Sequence, residues 1–182
     1  MINKNKLFRQ IHIYISLFFL PLALLYALTG MAYILGFDQD SGLKENTYNV
    51  NFEIQEGKEK ELVTNFLKEN NIKLPKDEIM EAKDGDFALG SAAYSVELHQ
   101  NEGKFMLITK ERSFLGNMIM LHKNKVAWYF SVLGIAFGLT LLVLYLSGIM
   151  ITLVAIKKDR RNQILTILAG FIVTSIVAYL SL

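Results

Sequence analysis

His12 and His122 each stand at the edge of a long apolar run, in "FRQIHIYISLFFLPLALLYALTG" and "MLHKNKVAWYF". An ionisable side chain at such an edge is costly and marks a functional position by default. Imidazole there has two uses: an axial ligand to haem iron, or an interfacial anchor with its ring among the headgroups. The residues alone leave both open. His99, the third histidine, falls on the polar side of a strand pattern and reads as a surface residue. A thioether can complete a histidine's axial pair. Met150 lies at roughly the depth of His12 and Met31 at roughly that of His122, although methionine is also an ordinary core residue. Asp38 and Asp40, in "FDQDSG", are hard oxygen ligands suited to holding ferric iron briefly. The same six residues also read as a solvated turn.

Other chemistries have no foothold. The chain has no cysteine, which excludes disulfides, iron–sulfur clusters and covalent c-type haem. It has no GxGxxG or P-loop for its own nucleotide. No HExxH, Ser nucleophile motif or Cys nucleophile points to a hydrolase. Nucleic acid is not an expected partner, because the basic residues are accounted for by membrane orientation.

The elements that must place the histidines are three apolar runs: Ile11 to Leu35, Val126 to Ile156 and Ile164 to Leu182. Each reaches the roughly 20 residues that span a bilayer core of about 30 Å. The segments before the first run and between the second and third carry seven basic residues against one acidic. The block from Gly36 to Lys125 carries 12 basic and 16 acidic. The basic segments are therefore expected in the cytoplasm and the acidic block outside, with the N-terminus in and the C-terminus out. The first run is too long for a signal-peptide core and reads as an uncleaved anchor. This geometry puts His12 and His122 about 25 Å apart, too far to share one iron within a chain. A bis-histidine haem would need a homodimer or a partner membrane protein.

In the first run His12, Ser16, Phe19, Ala23, Tyr26 and Gly30 share a face at 3–4 spacing, smaller and more polar than the rest. That face is expected to look inward. Gly134 and Gly138 form a GxxxG pair in the second run, where a helix or a flat cofactor can come close. The block between the first two runs reads as a small α+β domain. A strand at Thr47 to Ile54 and a helix over 58–71 with Leu62, Val63, Phe66 and Leu67 on one face come first. A short strand at Ile79 to Lys83 follows, then a hairpin of "AAYSVELH" and "KFMLITKE" turning at Asn101 to Gly103. The expected domain is an antiparallel sheet with one helix packed on it.

With these residues in place, the chain resembles the PepSY-associated transmembrane family. The likeness lies in a histidine opening the first span, "TG" closing it (Thr29 and Gly30), "LH" ahead of the second span, and "LSGI" (Leu146 to Ile149) near its end. The resemblance implies three transmembrane helices with a PepSY-like α+β external domain between helices 1 and 2. The divisions are residues 1–35, 36–125, 126–156, a basic cytoplasmic loop at 157–163, and 164–182. It also implies a bacterial inner-membrane protein of iron acquisition, with the external domain and C-terminus periplasmic. The implied activity is a b-type haem-dependent reductase of ferric iron or a ferric siderophore, fed from a quinol or a partner reductase, with His12 and His122 as haem ligands. The chain departs from larger members, which have more spans, more histidines and two external units, and this half-size form favours a homodimer. The rival reading is non-enzymatic: a membrane-anchored subunit whose external domain binds a partner and regulates a transporter or protease complex.

Overall fold

The computed structural model describes residues 4–50, 57–76, 79–81, 87–101, 104–155 and 159–182. Their elements run α1 (Lys4–Ile34), β1 (Lys44–Val50), α2 (Glu59–Glu69), β2 (Ile79–Glu81), β3 (Phe87–Gly90), β4 (Tyr94–Asn101), β5 (Lys104–Glu111), α3 (Phe114–His122), α4 (Trp128–Met150), a π turn (Ile151–Ala155) and α5 (Arg160–Ser181). Three helical stretches are long and apolar enough to cross a membrane: Arg9–Ile34, Trp128–Leu153 and Arg160–Ser181. They coincide with the three apolar runs and mark a membrane protein. Large apolar side chains on their surfaces, such as Phe18, Tyr145 and Phe171, are about seven-tenths exposed, which suits contact with lipid tails. Pro21 lies inside α1, a position that membrane helices tolerate better than soluble ones.

The chain divides into two compact units. One is Leu22–Val132; the other joins the segment ending at Pro21 to Leu133–Leu182. The first unit holds a five-stranded antiparallel sheet in the order β1-β5-β4-β3-β2. The expected hairpin is β4–β5, paired from Tyr94↔Glu111 to Asn101↔Lys104. Asn101 belongs to the strand, and residues 102–103 lie outside the described residues, as do 51–54 and 82–83 of the two other expected strands.

Alternation along the strands sends one set of side chains to α2. Val50, Val96, Leu98 and Leu107 meet Val63 and Leu67 of α2 in one buried cluster, with Tyr48, Phe66, Phe87, Tyr94 and Phe105 packed around it. Helix α2 has Glu59 and Glu61 in its first turn and Lys68 in its last, the charge order its dipole favours. On the opposite sheet face Lys110 donates to Glu97 at 2.7 Å and His99 lies 3.2 Å from the same carboxylate. The polar-side expectation for His99 is met there.

Two elements were not foreseen. β3 is only four residues, "FALG", too short for its alternation to register. α3 is a nine-residue helix where the sequence reading saw only a connection to the second span.

Leu67 and Leu107 are fully buried in the domain core. Leu67→Ala or Leu107→Ala should each cost about 2–5 kcal/mol, read as a lowered urea midpoint for unfolding of the sheet domain.

Candidate functional site

The inward face expected of α1 is the face the protein covers. His12, Ser16, Phe19, Ala23, Tyr26 and Gly30 are all half-buried, and Leu22 and Thr29 beside them are buried. Hydroxyls on such a helix satisfy themselves on the preceding turn. Ser16 donates to the His12 carbonyl at 2.7 Å and Thr29 to that of Leu25 at 2.6 Å.

His12 lies in the unit that contains α5. Its Nδ1 is 2.9 Å from the hydroxyl oxygen of Ser147 on α4, which itself donates to the Leu144 carbonyl at 2.9 Å. The ring borders a groove of about 600 Å³. Leu141, Leu144 and Gly148 of α4, Thr152 of the π turn, and Gln163 and Thr166 of α5 line it. A π turn widens a helix by one residue and recurs at functional sites. Thr152 lies in this turn and lines the groove, with its hydroxyl donated to the Gly148 carbonyl at 2.6 Å.

His122 ends α3 in the other unit, and its placement is built in several steps. Ser113 caps α3: its hydroxyl accepts from the Gly116 amide at 3.0 Å and donates to the Ser41 carbonyl at 2.6 Å. Gly116 packs so closely on the turn after α1 that a Cβ there would sit 2.7 Å from the Gln39 carbonyl oxygen. Lys123 donates to the Gln39 side chain, and its ammonium lies 4.8 Å from the Tyr33 ring. Arg112 lies 3.6 Å from Asp40 and donates to the Ala92 carbonyl at 2.8 Å. This clasp lays α3 along the end of α1. His122 Nδ1 then comes 2.6 Å from the Thr29 hydroxyl oxygen, and its ring meets Tyr26 edge-on with centroids 4.6 Å apart.

Neither methionine joins its histidine. Met31 is two residues past Thr29, about 200° around the helix, and is 54% exposed. Met150 is 63% exposed and does not line the His12 groove. Asp38 and Asp40 form the turn: Asp38 accepts from the Asp40 amide and the Ser41 hydroxyl, both at 3.0 Å. The Ser41 hydroxyl and then the Asp40 amide hold the Asp38 carboxyl below its ordinary range. Among the described residues no group of three or more His, Asp or Glu is placed to hold a metal ion.

The sequence reading named both histidines but missed their partners. Ser147 and Thr29 lie 135 and 93 residues away, and nothing in local pattern links them. Compared with protein-family models, curated proteins and solved structures, the chain matches none.

Gly116→Ala should force α3 off the Gln39 carbonyl. The expected loss is about 1–3 kcal/mol, seen as a lower unfolding temperature together with a changed His122 environment by NMR. Asp38 has a depressed carboxyl pKa, so its turn stabilises the fold above the ordinary aspartate range. That contribution is lost only as pH falls through the depressed value. NMR titration of the Asp38 carboxyl should therefore give a midpoint below that of an unstructured aspartate, and Ser41→Ala should raise it.

Proposed function

We propose that this chain is a haem-dependent reductase of the bacterial inner membrane that delivers electrons to ferric iron or a ferric siderophore in iron acquisition. The observation that carries the reading is the state of the two histidines. Each is tied through Nδ1 to a hydroxyl, and among the described residues neither Nε2 has a hydrogen-bond partner. An axial imidazole has this arrangement, with one ring nitrogen held and the other offered to iron. The groove beside His12 also lies in the size range of cofactor pockets.

Bound at these rings, a b-type haem would supply a one-electron carrier. His12 and His122 would each hold a separate haem, Ser147 and Thr29 would orient their rings, and Gly148 borders the groove beside His12. Met31 and Met150 are both more than half exposed, so any further protein group holding a haem would have to come from another copy of the chain or a partner membrane protein. In this reading the basic ends face the cytoplasm, where a quinol or partner reductase is oxidised. The sheet domain and the C-terminus are periplasmic, where Fe(III) takes one electron to become Fe(II). The PepSY resemblance supplies the substrate class.

One observation favours the non-enzymatic rival. β1 is an edge strand with Lys44, Glu45, Asn46 and Thr47 exposed, able to take an extended peptide of a partner protein.

The absorbance spectrum of detergent-purified protein separates the two. The reductase predicts a Soret band that shifts on dithionite, at one haem per chain or fewer. His12→Ala should reduce bound haem several-fold and abolish iron reduction by cells. Haem-free protein from haem-replete cells, with iron reduction intact in the His12→Ala strain, would sink the proposal and leave the binding subunit.

A further inference from the structure

Both membrane-end histidines meet a hydroxyl whose own proton is already committed. Thr29 donates to the Leu25 carbonyl at 2.6 Å, and Ser147 to the Leu144 carbonyl at 2.9 Å. A hydroxyl has one proton and two lone pairs. Turning the Thr29 proton toward the ring would leave two bare oxygens 2.6 Å apart, a separation that belongs to an O–H···O bond. The oxygen must therefore accept from the ring. Its contacts are to Nδ1 in both cases, at 2.9 Å for His12 and 2.6 Å for His122.

We infer that Ser147 and Thr29 are tautomer-setting positioning residues, which keep a ring proton of His12 and of His122 on Nδ1 and so leave Nε2 as the nitrogen offered to a ligand. The nitrogen that carries the proton is set by the hydrogen bond the ring makes, and here the chain builds that bond twice from unrelated segments. α4 serves the histidine of α1, and α1 serves the histidine of α3.

The residue after each hydroxyl belongs to the same device. The pairs are Thr29-Gly30 and Ser147-Gly148. A Cβ on Gly30 would lie 3.7 Å from His122 Cε1, the carbon that joins the two ring nitrogens. A Cβ on Gly148 would meet nothing within 4 Å, and Gly148 lines the groove beside His12. A side chain longer than alanine at Gly30 would crowd the Cε1 edge of His122, while Gly148 borders the same groove as His12. The inference extends the proposed haem site, for which a bare Nε2 is the requirement, but the tautomers exist without any cofactor.

The test is two-bond ¹H–¹⁵N correlation NMR of ¹⁵N-histidine-labelled full-length protein in lipid nanodiscs, at neutral pH, made in haem-deficient cells. His99→Gln assigns the third signal. The expected result is the Nδ1–H pattern for both His12 and His122. Ser147→Ala should move His12 to a mixed or Nε2–H pattern and leave His122 alone; Thr29→Val should do the reverse. The unmoved histidine reports that each variant is folded. Ser147→Thr and Thr29→Ser should restore the Nδ1–H pattern. An Nε2–H or imidazolium pattern in the unaltered protein overturns the inference, as does a Ser147→Ala or Thr29→Val protein whose target ring does not move. If the Nδ1–H pattern is found and haem-replete cells still yield haem-free protein, the tautomer lock stands and the reductase reading falls.

Discussion

A hydroxyl in an apolar helix has to spend its proton and its lone pairs inside the protein, and Thr29 spends them in two directions. Its proton goes back one turn to Leu25, and its oxygen faces His122. The chain leaves α1, builds a five-stranded sheet, and returns as α3 with His122 at its last position. The Ser113 cap, the close approach of Gly116 to Gln39, and the Lys123–Gln39 bond set where α3 lies. The sheet domain is thus also the connector that brings a distant histidine to the end of the first span.

The second unit solves the same problem with different parts. Ser147 spends its proton on Leu144 and faces His12. At both rings a hydroxyl contact to Nδ1 does the orienting. The acidic residues of the turn after α1, read as oxygen ligands or a solvated turn, make contacts within the fold. Asp38 closes its own turn, and Asp40 pairs at long range with Arg112.

Features with a local period were legible in the sequence. The three spans, the inward face of α1, the buried stripe of α2 and the paired strands β4 and β5 all follow from spacing of 3.6 or 2. The missed features are long-range or short. No period links Ser147 to His12 across 135 residues, or Thr29 to His122 across 93. β3 offers four residues, fewer than alternation needs. α3 hid because "FLGNMIMLH" is apolar nearly all round, so it blends into the approach to the second span. Its signal was Ser113, an N-cap type directly before an apolar run. The short motifs "TG" and "LSG" were visible, but their meaning was not, since each acts on a ring from another helix.

The π turn at Ile151–Ala155 gives the chain an unusual freedom in length. A π turn holds one residue more than an α turn, so deleting one residue there would restore the ordinary ladder and leave Ser147, upstream of it, in register with His12. The same deletion earlier in α4 would rotate Ser147 by about 100° and carry its oxygen off the ring. For the Ser147 contact, chain length is therefore rigid before the serine and indifferent just after it, where a change of length reaches instead the groove wall formed by Thr152 and α5.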